Sequence, residues 1–235
     1  MSHGGSDARS EGSSGGAGRD AGGGLLIAAP MRLEALLIGS ATRTAQVRRT
    51  GMGCERSFAA ARELRKQPAA AVLVVGFCGG LDESSEPGDV IVADRLLRNE
   101  VTGRDEHPAK PTACAGADAL VAMLASRGLR VRRGMVVSVT RQVRNEWWRA
   151  KLRERGAIAV DMESAWLARG LEGWPFGVVR VVVDTPAREL TRPLATLTGG
   201  VRAAVVLRRA AGAVDRLVRE HGVHTVFGSD GYPSK

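Results

Sequence analysis

The sequence predicts an α/β domain with a mostly parallel sheet, and three observations lead there. Short apolar runs rich in Val and Ile alternate with helix-like segments along most of the chain. Several of those runs are continuously hydrophobic, as strands covered on both faces are, and do not alternate with polar residues. Gly128, Gly156 and Gly173 fall just past helical stretches, where a left-handed cap residue is wanted. In chain order the reading begins with a strand at Leu25 to Ala29 and an extended segment at Val47 to Thr50. A helix follows at Cys54 to Lys66, then strands at Val72 to Phe77 and Val90 to Ala93. Next come a helix at Ala115 to Arg127, a strand at Arg133 to Val139 and a helix at Arg144 to Glu154. A strand at Ala157 to Val160 leads into a helix at Asp161 to Leu171, and a strand at Phe176 to Val183 precedes a long helix from about Thr198 to Glu220.

A chain of 235 residues fits one domain, placed at residues 25–227. Residues 1–24 hold nine Gly and five Ser without apolar periodicity, so they read as a disordered tail, and residues 228–235 as a shorter one. The apolar stretch Ala69 to Cys78 is about half of the ~20 residues a membrane-spanning helix needs. With no secretory pattern near Leu25, the expectation is a cytoplasmic protein. Three widely spaced cysteines, Cys54, Cys78 and Cys114, argue against a disulfide framework or a zinc knuckle. The net charge of +9 points toward anionic partners, yet only four of the basic residues are lysines and no run exceeds two adjacent residues. Nine aromatic residues give little material for base stacking, so no specific nucleic-acid partner is expected.

In an open α/β sheet ligands gather at the carboxyl ends of strands, and four such ends carry unusual residues. Gly51-Met52-Gly53 sets two residues without a β-carbon where backbone amides can approach a ligand, although a tight turn is by itself the simpler reading. Gly76-Phe77-Cys78-Gly79-Gly80-Leu81 follows the apolar run at Val72 and suits close backbone contact with a ligand, and a plain crossover loop explains it equally well. Asp161 in Val160-Asp161-Met162-Glu163 is explained by the helix dipole, whereas Glu163 sits among apolar residues, where a carboxylate needs donors such as sugar hydroxyls or an arginine. Arg180, inside Val178 to Asp184, requires an anionic partner, with Glu163 and Asp161 the nearest by topology. Asp184 stands where a general acid would stand, and a turn or cap role is the alternative. Glu34, after the first strand, is a third carboxylate, which by itself reads as an exposed helix acid. His221 and His224 have metal-ligand spacing without a third ligand and read as surface residues. Of Trp147 and Trp148, one is expected to pack and the other to be exposed.

Taken in order, Thr50-Gly51-Met52-Gly53, Gly76 to Leu81 with Pro87-Gly88-Asp89-Val90, Val160 to Ser164 and Arg180 to Asp184 resemble the landmarks of the nucleoside phosphorylase and nucleosidase superfamily. The likeness runs from about Leu25 to Gly212. It implies a three-layer α/β/α fold with a mixed, mostly parallel central sheet, and cleavage of a purine N-ribosidic bond. By this resemblance Asp184 and Glu34 are catalytic. Asp184 protonates or hydrogen-bonds N7 of the departing base, and Glu34 activates the attacking water. Glu163 binds the ribose hydroxyls, Met162 packs on the sugar, and Gly51, Gly53, Cys78, Gly79 and Val143 complete the substrate contacts. Proton delivery from Asp184 requires a carboxyl kept neutral by burial in an apolar site. No metal or cofactor is implied, with inorganic phosphate the co-substrate under the phosphorolytic alternative. Phosphorolytic members often carry an arginine where this chain has Val74 and a Ser or Thr where it has Cys78, so hydrolysis is favoured.

Within the superfamily, Gly76 to Leu81, Ala157 to Ser164 and Val178 to Pro186 look most like the hopanoid-associated phosphorylase branch. That branch is thought to convert adenosylhopane to ribosylhopane, which implies a lipid-linked nucleoside, peripheral contact with the inner membrane and a homo-oligomer. Methylthioadenosine or S-adenosylhomocysteine is the second substrate reading. Methylthioadenosine-type enzymes usually place an aromatic residue at the position of Gln142 or Val143. A basic, non-catalytic adaptor for nucleic acid or membrane is the alternative of another class, with salt-sensitive polyanion binding as its signature.

Overall fold

A computed structural model of the chain describes residues 23–99, 110–143, 145–184 and 193–228. Eight strands form one mixed sheet: β1 (Gly24–Ala29), β2 (Gln46–Arg49), β3 (Ala69–Gly80), β4 (Val90–Asn99), β5 (Thr112–Ala113), β6 (Val131–Val139), β7 (Ala157–Asp161) and β8 (Phe176–Asp184). The helices are α1 (Arg32–Gly39), α2 (Cys54–Leu64), α3 (Ala117–Ser126), α4 (Glu146–Glu154), α5 (Ser164–Gly170), α6 (Pro193–His221) and α7 (Val223–Phe227). Nearly all of both expected tails, and residues 100–109, 144 and 185–192, lie outside the described residues.

Parallel pairing joins β2 to β1, β1 to β3, β3 to β8, β4 to β6 and β6 to β7. Antiparallel contacts of β3 with β7 and of β8 with β4 then close β3, β8, β4, β6 and β7 into a ring. β1 and β2 extend from it as a parallel flap. The continuous apolar runs have the burial they predict: Ala71 to Val75 and Val178 to Val182 are fully buried, Arg180 among them. One face of the sheet is covered by α1, α3, α6 and α7, through Ile38, Leu120, Leu207 and Phe227. The opposite face packs on α2 and α5 through Ala61, Leu64, Leu167 and Ala168, and this completes the three layers. A smaller cluster holds α4, through Leu152, against β6 and β7.

Two departures from the sequence reading shape the site. α1 carries leucines around its circumference, with Leu33 and Leu36 exposed, so no single apolar face announces it. α5 begins at Ser164 and not at Asp161, because Asp161 closes β7 and its carboxylate accepts the backbone N–H groups of Glu163 and Ser164. Glu163 is thereby freed from the helical ladder and turned inward. At the far end of α1, the carboxylate of Asp215 on α6 accepts the N–H groups of Arg43, Thr44 and Ala45 and fixes the entry to β2.

Candidate active site

The carboxyl ends of β1, β3, β6, β7 and β8 open on one cavity of about 310 Å³. Its wall includes Glu34, Cys78, Gly79, Val143, Met162, Glu163 and Asp184, so the three carboxylates that lie far apart in sequence meet around one space. Gly51 and Gly53 do not line it; Met52 between them does. Both glycines adopt left-handed backbone, with φ of 85° and 87°. That turn aims the Gly53 N–H at Glu163 Oε1, 3.2 Å away.

Glu34 is no exposed helix acid: it is 1% exposed in the first turn of α1. Oε2 accepts the Met31 N–H and Oε1 accepts the Phe77 N–H, each at 2.6 Å. Burial pushes its carboxyl above the ordinary glutamate value, against the opposing pull of Arg180 and of those two amides. The contact demands Gly76, because a β-carbon there would sit 2.6 Å from Glu34 Oε1 and 2.7 Å from Arg180 Nη1. The signal was present in the sequence as three glycines within five positions, but it did not single out Gly76.

Arg180 is the hub of this side. Its Nη2 lies 2.6 Å from Asp161 Oδ2 and 3.3 Å from Glu163 Oε2, and its guanidinium also donates to Ser164 Oγ and the Phe77 carbonyl. Burial works to lower the guanidinium value, yet Asp161, Glu163 and Glu34 outweigh it and raise it. Burial likewise raises the Glu163 carboxyl; Arg180 opposes that shift and Asp161 adds to it. Both Asp161 and Glu163 line the cavity, and Asp161 is tied further into the scaffold by the Ser138 hydroxyl and the first amides of α5.

Asp184 has a different environment from the apolar one that neutral proton delivery needs. Arg149 Nη2 lies 2.6 Å from Asp184 Oδ2, and Arg149 Nη1 donates to the Gly80 carbonyl at 2.9 Å. Sequence reasoning missed Arg149, which is 2% exposed although α4 reads as a charged surface helix. Asn145 caps that helix by accepting the Trp148 N–H. Trp148 packs against the third core cluster, while exposed Trp147 lies under the Lys151 ammonium. Val74 is fully buried between Ala28 and Val178. Burial raises the Cys78 thiol, so it faces the cavity as a neutral group. Among the described residues no cluster of three or more His, Cys, Asp or Glu is arranged to hold a metal ion, and no helix is long and apolar enough to cross a membrane.

A family model, that of the phosphorylase superfamily, matches residues 28–219. No protein of curated function matches the sequence. Solved structures do. The 5′-methylthioadenosine/S-adenosylhomocysteine nucleosidase of Neisseria meningitidis, in complex with methylthio-immucillin-A, superposes with a TM-score of 0.70 at 20% identity, over 83% of this chain and 98% of that one. The corresponding nucleosidase of Campylobacter jejuni gives 0.70 at 16% identity, over 85% and 100%. The futalosine hydrolase of Helicobacter pylori gives 0.63 at 18% identity, over 84% and 96%.

Proposed function

The chain belongs to the phosphorylase superfamily, and from that premise we propose that it hydrolyses the N-ribosidic bond of an adenosine-type nucleoside and releases adenine. The observation that carries the reading is the convergence of Glu34, Glu163 and Asp184 on one cavity of about 310 Å³, enclosed mostly by apolar side chains. Cleavage passes through a transition state with positive charge on the sugar and negative charge on the departing base, so it needs opposed groups fixed beforehand. Glu34, anchored by the Met31 amide after β1 and the Phe77 amide of β3, takes a proton from water beneath the sugar. Glu163, steadied by Gly53 and Arg180, accepts the ribose hydroxyls, with Met162 against the ring. Asp184, at the other side, accepts a hydrogen bond from the base, which departs with a proton taken from solvent while Glu34 returns its own to solvent. No metal or cofactor enters this scheme.

Hydrolysis is preferred over phosphorolysis because neither Cys78, in the cavity wall, nor Val74, buried within β3, supplies an anion-binding side chain. For the 5′-substituent we propose a lipid, as in adenosylhopane, giving ribosylhopane. The apolar wall and the exposed Met52 suit an apolar chain leaving the sugar, and the +9 charge suits peripheral contact with an anionic membrane from the cytoplasm. Assembly as a homo-oligomer belongs to the same proposal. The second reading, methylthioadenosine or S-adenosylhomocysteine as substrate, is favoured by the nucleosidases whose folds superpose on this one.

Adenine release from adenosine, methylthioadenosine, S-adenosylhomocysteine and adenosylhopane, followed by chromatography with and without phosphate, tests the scheme. Release from adenosylhopane without phosphate is expected. Release from none of the four sinks the enzyme reading, and a strict need for phosphate replaces hydrolysis with phosphorolysis.

A further inference from the structure

The base side of the cavity carries an arrangement that the scheme above leaves without a role. Arg149 comes from α4, which supplies no other residue to the cavity wall, and it is almost fully buried. One guanidinium nitrogen is tied to the Gly80 carbonyl at 2.9 Å and another to Asp184 Oδ2 at 2.6 Å. Asp184 Oδ1 is buried and has no hydrogen-bond partner among the described residues. Oδ2 is therefore the oxygen through which Asp184 can meet a ligand, and it is the oxygen that Arg149 holds. Both side chains form part of the cavity wall.

We propose that Arg149 is the specificity-determining residue for the departing base: it fixes Asp184 as an acceptor, so that the cavity takes purines with an amino group at position 6 and rejects those with an oxygen there. An ionised carboxylate has lone pairs and no proton to give. A 6-amino group donates to Oδ2 alongside Arg149, whereas a 6-oxo group turns its own lone pairs toward that oxygen and leaves two acceptors facing each other. The guanidinium can do this because its two anchored nitrogens are held in one rigid plane, which an ammonium cannot reproduce. Arg149 acts here through Asp184, as a positioning residue. The inference rests on the nucleosidase reading only for the identity of the base.

Calorimetric binding of free adenine and free hypoxanthine to the full chain tests it without any turnover. The wild type is expected to bind adenine at least about tenfold more tightly than hypoxanthine, the discrimination of one buried mispaired acceptor. Arg149→Met is expected to bring that ratio near one, and Arg149→Lys to give a value between the two. Equal binding of the two bases by the wild type, or an undiminished ratio in Arg149→Met, overturns the proposal. Should Arg149→Met fail to fold, the Arg149→Lys ratio decides in the same way. Preference for adenine, lost on substitution, upholds the assignment even if no nucleoside is cleaved. Cleavage with no base preference defeats it while leaving the nucleosidase reading intact.

Discussion

Two buried guanidiniums pair with carboxylates of the cavity wall, Arg149 with Asp184 and Arg180 with Asp161 and Glu163, and they differ in how completely their surroundings answer them. Around Arg180 the pairing is closed: Asp161, Glu163, Ser164 and the Phe77 carbonyl share its donors, and Asp161 is itself held by Ser138 and the first amides of α5. Around Arg149 the pairing is open, since its Nε and Asp184 Oδ1 are both buried without partners among the described residues. A closed cluster holds its charges whether or not a ligand is present, and so makes a rigid floor for a sugar. An open pair keeps unmet polar capacity, which costs stability, and leaves Asp184 Oδ2 to Arg149 until a ligand shares it.

The strongest way to break this comparison is Arg180→Met. It leaves Asp161 and Glu163 buried without their cation, and the expected loss is about 3–5 kcal/mol of folding stability. Urea denaturation measures it, and an unchanged midpoint would mean that the cluster is not what organises this face. Asp184→Asn is expected instead to act on turnover, lowering kcat by about 10²-fold through loss of the acceptor that positions the base. Steady-state adenine release checks this, and an unaffected rate removes Asp184 from the mechanism. Gly76→Ala forces a β-carbon into Glu34 and Arg180 together, with an expected cost of about 1–3 kcal/mol in thermal or chemical unfolding. A fully stable, fully active Gly76→Ala would show that the contact relaxes freely.

The smallest effect is also the most diagnostic. In the proposed scheme Glu34 is ionised to accept a proton from water, and burial holds its carboxyl above the ordinary value of 4.5. The acid limb of kcat/KM is therefore expected to lie above pH 4.5, with activity falling as pH drops through it. Glu34→Gln removes that limb along with most of the activity. For folding the sign reverses. A carboxyl that holds its proton more tightly when folded contributes stability below 4.5, and that contribution is lost as pH rises through the elevated folded value. A profile whose acid limb coincides with an unperturbed glutamate would contradict the burial argument.

Most of the layered fold was legible in the sequence because buried parallel strands write themselves as unbroken apolar runs, as at Val72 to Val75 and Val178 to Val182. α1 was not, since its leucines have no common face. Nor was the ring closure, because the contacts of Gly79 and Gly80 with β7 and of Val90 to Val92 with β8 join residues far apart in the chain. In the site, Glu163 and Arg180 stood out as charges inside apolar surroundings. Asp184 and Glu34 gained meaning only as members of an ordered set. Arg149 gave no signal at all: it is one of several basic residues on a short helix, and only tertiary packing separates it from exposed Lys151.

The ring closure also governs how the protein behaves in company. Six of the eight strands have both flanks bonded, which leaves β2 and the two-residue β5 as terminal strands of the sheet. β2 displays exposed Arg48 and Arg49, and like charges brought together there would repel an approaching strand of a second molecule. The polypeptide thus carries its own safeguard against fibrous stacking, written as two adjacent arginines on the one long boundary that the barrel-like closure could not seal.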